Sequence, residues 1–181
     1  IAFFMSSFPD GGIARVTRNL VQPLVERGYR VFLFVHTLYE DKLIGNQLPI
    51  TYIKLPYSIR KKDNYSIIAD AVKSHDIKVL FATGFYADYL KRLKDDGLCK
   101  LVFVLHGMPL YENLIYEYDI NQYDKKSLGA ILKHYLLTIP KHKLGYYDRK
   151  VLKNYRRRYR DTDAYGVLFD DYGMQVAKAV G

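Results

Sequence analysis

At 181 residues and 49% hydrophobic content the chain is long enough for one globular domain with a sizeable core, and it has no apolar run of the ~18 residues a spanning helix needs. The lone Cys99 excludes an internal disulfide and fits a reducing compartment, most simply the cytoplasm, and the five residues before Ser6 are too short for a secretory leader. The excess charge, +9 from 28 basic and 19 acidic residues, is concentrated: nine basic residues lie between Lys141 and Arg160, with Asp148 alone opposing them.

The chain begins at Ile1 without Met, so a few residues are expected ahead of it. Ile1 to Met5 predicts a buried strand, broken at Ser6-Ser7 and followed by Pro9, Asp10 and the pair Gly11-Gly12. From Ile13 a helical stripe runs through Val16, Leu20 and Leu24, widened by Val21 and Val25, and Gly28 stops it as a C-cap. Pro23, inside that helix, predicts a kink near Asn19. Paired glycines at a strand-to-helix turn let a phosphate or diphosphate approach the unpaired amides and positive dipole end of the helix, and they serve equally well in a tight turn with nothing bound. Neither the spaced glycines of a dinucleotide fingerprint nor the Lys-Ser/Thr of a P-loop follows.

Tyr29 to His36 predicts a second strand, completing a right-handed βαβ unit. Pro49 to Pro56 predicts a short strand near a sheet edge, and residues 64 to 75 a helix with Tyr65, Ile68, Ala69 and Val72 on one side. Ile77 to Ala82 predicts a buried strand, Phe85 to Asp95 a helix, and Leu101 to Leu105 a further strand. Residues 108 to 124 are irregular, acidic and tyrosine-rich. Two helices, 128 to 139 and 144 to 160, are expected on either side of Pro140, the second with Leu144, Tyr147, Val151, Tyr155 and Tyr159 aligned. Ala164 to Phe169 predicts a short strand, and a final helix starts with Asp170 or Asp171 as N-cap. The alternation fixes the class as α/β, a Rossmann-like, mainly parallel sheet flanked by helices.

Ligands of such sheets gather beyond the carboxyl ends of the strands, here Ser6 to Gly12, His36, Thr83-Gly84, His106-Gly107 and Asp170. His106 directly follows five apolar residues and precedes a glycine, a position suited to hydrogen-bonding a sugar or phosphate, to acid or base work, or to simple capping of a strand end. No spacing among the five histidines and Cys99 matches a zinc site. The basic helix 144 to 160 reads as a solvated face, as a contact with anionic lipid, or, without any accompanying motif, least well as a nucleic-acid surface.

Phe8-Pro-Asp-Gly-Gly-Ile-Ala-Arg-Val-Thr-Arg-Asn-Leu20 followed by Leu24-Val-Glu-Arg-Gly-Tyr-Arg-Val31 resembles the amino-terminal signature of GT-B glycosyltransferases, particularly family 4. Asp76 to Ala82, Leu101 to Gly107 and Asp163 to Tyr172 resemble later segments of the same half, so the resemblance covers most of the chain. It implies that residues 1 to 181 are the acceptor-side domain of a two-domain enzyme whose donor-binding half, with its pair of glutamates, lies outside this chain. It further implies transfer of a sugar from a nucleotide-sugar donor to a glycan or lipid-linked acceptor, in bacterial surface polysaccharide synthesis, with retention of configuration and no metal. Carried over residue by residue, Gly11 and Gly12 lie beside the donor diphosphate and His106 near the transferred sugar; Arg15 and the strand-end residues Thr83, Gly84, Gly107 and Asp170 are further substrate-side candidates by position. The role of Arg15 stays open, because many members have a glutamate in the Ala14-Arg15 region. The domain alone is expected to be inactive, and to be cytoplasmic or peripheral at the inner face of the membrane. Rival expectations are a non-catalytic α/β binding or regulatory module and a basic membrane-associating domain.

Overall fold

The computed structural model describes residues 1–43, 47–56, 63–107, 109–110, 128–167 and 169–181. Contacts within the chain gather into two compact units, one of residues 1–106 with 159–168 and one of residues 107–158 with 169–181. The sequence-predicted region 108 to 124 lies almost wholly outside the described residues.

The first unit holds the sheet. Its described strands are β1 (Ala2–Phe8), β2 (Phe32–Leu38), β3 (Thr51–Lys54), β4 (Val79–Thr83), β5 (Lys100–Leu105) and β6 (Ala164–Val167). They pair in the order β3-β2-β1-β4-β5-β6, every pair parallel. This is a Rossmann-like doubly wound sheet whose strand order reverses between β1 and β4. Ahead of β2 the helix that stops at Glu26 closes in a Schellman motif: Tyr29 N–H donates to Leu24 C=O and Gly28 N–H to Val25 C=O, with Gly28 at φ +83°.

Helix α1 (Gly11–Glu26) covers one face of the sheet. Phe3, Met5, Leu33 and Val35 pack there with Ala14 and Val21. The stripe differs from the expected one. Ala14, Thr17 and Val21 are the buried residues of the helix, while Ile13 and Leu20 are exposed. Small side chains at 14 and 17 bring the helix close to the strands, and that rotates the larger apolar residues outward. Helix α1 runs unbroken past Pro23 to Glu26, so the proline lies in its last turn.

The opposite face carries α2 (Asp63–Ser74) and α3 (Leu90–Asp95). Buried Ile68, Ala69, Val72, Leu90 and Leu93 fill it, and Phe32 stacks on His75 at the end of α2, ring centroids 4.7 Å apart. Helix α3 is shorter than the predicted 85 to 95. Phe85 and Tyr86 leave the helical path because their rings are used in the core, Phe85 against Phe4 (5.7 Å) and Tyr86 edge-on to Phe103 (6.1 Å). Asp163 ties β6 to β5: Leu101 N–H donates to its carboxylate at 2.8 Å, and Asp163 N–H donates back to Leu101 C=O at 2.7 Å.

In the second unit the described helices are α4 (Leu128–Lys133), a π-helical turn (His134–Thr138), α5 (Ile139–Lys143), most of α6 (Tyr146–Asp161) and α7 (Asp170–Val180). The break expected at Pro140 is absent. The wide turn just before the proline absorbs its missing N–H, and the chain stays helical until Leu144-Gly145, where Gly145 takes φ +63°. Within the expected stripe of α6, Val151 and Tyr155 are buried but Leu144 is exposed. The Tyr155 hydroxyl accepts from Leu110 N–H at 3.0 Å, and Arg156 Nε donates to Ala179 C=O at 3.2 Å. Phe169, extended, is the N-cap of α7, so Asp170 and Asp171 lie inside its first turn rather than before it, where their charge meets the positive end of the helix.

Candidate functional site at the strand reversal

Strands β1 and β2 remain in register to Phe8 and Leu38. The β1–β4 ladder stops at Phe4 and Ala82. The ladder thus ends at the reversal of strand order, the place where doubly wound sheets hold their ligands. Thr83 marks the parting: its buried hydroxyl donates to Phe4 C=O at 3.0 Å. That hydroxyl, expected among the ligand-facing groups, is committed to closing the end of the ladder.

The rim is formed by three loops. After β1, Asp10 is extended and precedes α1. Its carboxylate turns to Lys42, in the single turn of 3-10 helix Glu40–Leu43, and the bond and charge of Lys42, with a weaker contribution from the Gly11 amide, hold it below the usual carboxylate range. No side chain caps the amides that follow, and open space surrounds both Gly11, at φ +87°, and Gly12. The Gly12 and Ile13 amides therefore stand at the start of a 16-residue helix without an intrahelical partner.

After β4 comes Gly84 at φ +65°. A Cβ there would lie 2.5 Å from Ile13 Cδ1 and 3.6 Å from His106 Cδ2. The first turn of α1, the β4 loop and the residue after β5 thus meet through Ile13, Gly84 and His106. Both ring nitrogens of His106 are buried and have no hydrogen-bond partner among the described residues. Burial pushes its pKa below the ordinary imidazole value, so at neutral pH the ring is uncharged, with one nitrogen donating and the other accepting. Arg15 is exposed on α1. Gly107 and Asp170 belong to the second unit.

Behind the rim the sequence reading undervalued His36. Because β2 runs on to Leu38, His36 lies inside the strand, buried, with Phe4 and Phe85 edge-on to its ring at 5.5 and 6.0 Å. Its Nδ1 is 3.4 Å from Pro56 C=O and its Nε2 3.3 Å from the Tyr89 hydroxyl. Burial lowers the His36 pKa and raises that of Tyr89, which also bonds to Asn64. Its position in an unbroken apolar run, Val31 to Val35, was the available signal of burial. Among the described residues no three of His, Cys, Asp and Glu gather as a metal site.

No family model, curated protein or solved structure matches this chain. The geometry at the strand reversal therefore carries the functional reading.

Proposed function

We propose that the first unit is the acceptor-side domain of a glycosyltransferase that moves a sugar from a nucleotide-sugar donor to a glycan or lipid-linked acceptor. The observation that carries this reading is the meeting, at the strand reversal, of uncapped helix amides with a half-buried, neutral histidine whose ring nitrogens have no partner among the described residues. The amides of Gly12 and Ile13, with the positive end of α1, suit a diphosphate that gains charge as it departs. The Gly11 amide, drawn to Asp10, contributes less. His106 can donate to one oxygen of the sugar and accept from another. Gly84 leaves room for this arrangement, and Arg15 offers a mobile cation near the same helix end.

The test is a titration of the 181-residue chain with a nucleoside diphosphate and with its sugar derivative, read by amide and imidazole chemical shifts. Millimolar binding with the largest shifts at Gly12, Ile13 and His106 supports the reading. Shifts confined to other surfaces, or none at 10 mM, a concentration at which a contact of about 3 kcal/mol would register, remove it. Transfer of sugar by this chain unaided would contradict the expectation that a donor-binding half completes the enzyme.

A further inference from the structure

The segment from Leu128 to Leu144 turns its apolar side outward. Its inward side is marked by buried His134 and half-buried Ile131, Thr138 and His142. Its outward side exposes Leu128 (84%), Leu132 (62%), Leu136 (63%) and Leu144 (72%), together with Tyr135 and Leu137. A stripe of leucines on a helix is ordinarily its covered face. At about 12 residues before Pro140 it is too short to cross a bilayer, and no helix among the described residues is long and apolar enough to do so.

The surrounding charge decides between covers. From Lys133 to Arg160 the chain carries ten basic residues and a single acid, Asp148. Lys133, Lys143, Lys150 and Lys153 are exposed and have no acidic partner among the described residues. Lys141 lies over the ring of exposed Tyr146, 5.4 Å from its centroid. A protein surface covering the leucines would have to supply matching carboxylates, whereas a second copy of this chain would bring like charge. Leucines flanked by free lysines, with a tyrosine between, are the composition of an element lying in the plane of a lipid interface.

We propose that Leu128–Leu144 docks on an anionic phospholipid bilayer, its leucines entering the acyl boundary and Lys133, Lys141, Lys143, Lys150 and Lys153 meeting the headgroups. The sequence pointed to the arginines of α6 for such a contact. The structure moves it to the preceding apolar segment, because Arg156 bonds to Ala179, Arg149 to Leu144 and Gly145, and Arg160 to Asp161. The proposal does not depend on the transferase reading.

The experiment is co-sedimentation of the 181-residue chain with vesicles of phosphatidylcholine alone or with about one third phosphatidylglycerol. Binding to the mixed vesicles only, weakened severalfold by raising salt from 50 to 500 mM, is expected. Leu132→Ser with Leu136→Ser, both exposed and so tolerated by the fold, should lower partitioning about tenfold or more. Replacing Lys133, Lys143, Lys150 and Lys153 by Gln should abolish the preference for anionic lipid. Absence of binding to the mixed vesicles overturns the proposal, as does binding that survives the double leucine change. So does a concentration-dependent dimer in sedimentation velocity that this change abolishes, since a second copy would then be the cover.

Discussion

The Cδ1 of Ile13 occupies the space into which a side chain on Gly84 would grow, 2.5 Å from the Cβ position, and Gly84 holds φ +65°. Two penalties therefore meet at one residue, and they separate experimentally. The Ile13 contact comes from the tip of a flexible, partly exposed side chain and can be relieved by rotation, whereas the left-handed backbone cannot. Gly84→Ala should cost about 1–2 kcal/mol, the usual penalty for a non-glycine residue in that region. Adding Ile13→Ala should recover little of it. Urea unfolding of the single and double variants checks this, and full recovery in the double variant would assign the cost to the contact instead.

Thr83 gives the next expectation. Its hydroxyl is the partner of a buried Phe4 carbonyl where the β1–β4 ladder ends. Thr83→Val keeps the shape and removes the donor, so it should destabilise by about 1–3 kcal/mol, the cost of leaving a buried acceptor unmet. Thr83→Ser should cost less, because the donor survives. A Val variant as stable as the parent would release the hydroxyl for a role at the strand reversal.

His106 and His36 set a pH dependence. Both have folded pKa values lowered by burial, so the unfolded chain binds protons that the folded chain refuses. Stability then rises with pH between the folded values and the unfolded value of about 6.5. It should be fully restored above that value and fall as pH drops below it. Imidazole proton shifts followed from pH 4 to 8 should give midpoints below 6.5 for both rings. A midpoint at or above 6.5 for His106 would mean that the ring finds an anionic partner.

Cys99 is buried, and burial, with the nearby Asp163 charge adding to it, pushes its thiol up to about 11. Since the thiolate is the nucleophile, modification by an aromatic disulfide at pH 7.5 should be far slower in the folded chain than in 6 M urea. Equal rates would place the sulfur at the surface.

The class of the fold was legible because the four central strands are largely apolar runs and most crossovers have helical spacing. The glycines at 11, 28 and 84 were legible as turns for the same local reason. What could not be read were the consequences of neighbours. Ser6 to Phe8 look like a loop but remain in β1 because β2 continues beside them to Leu38. Ile13 and Leu20 have the right period for a core stripe, yet Ala14 and Thr17 win the inner face because only small side chains allow the close approach. Phe85 and Tyr86 have helical spacing but are drawn into ring contacts with Phe4 and Phe103. Of the site residues, Gly11, Gly12, Gly84 and His106 were visible as strand-end residues, and the structure gathers the last two around Ile13. The parting of β1 from β4 was not, since one ladder stops four residues before its neighbour.

The two outermost strands, Thr51–Lys54 and Ala164–Val167, are only four residues long. Each lateral border of the sheet thus exposes a row of main-chain groups barely long enough to template a foreign strand, and one of them ends in a lysine. A sheet this rich in Phe, Leu and Val would invite intermolecular β-augmentation and aggregation at a longer border. Trimming the periphery limits that hazard while so apolar a centre folds.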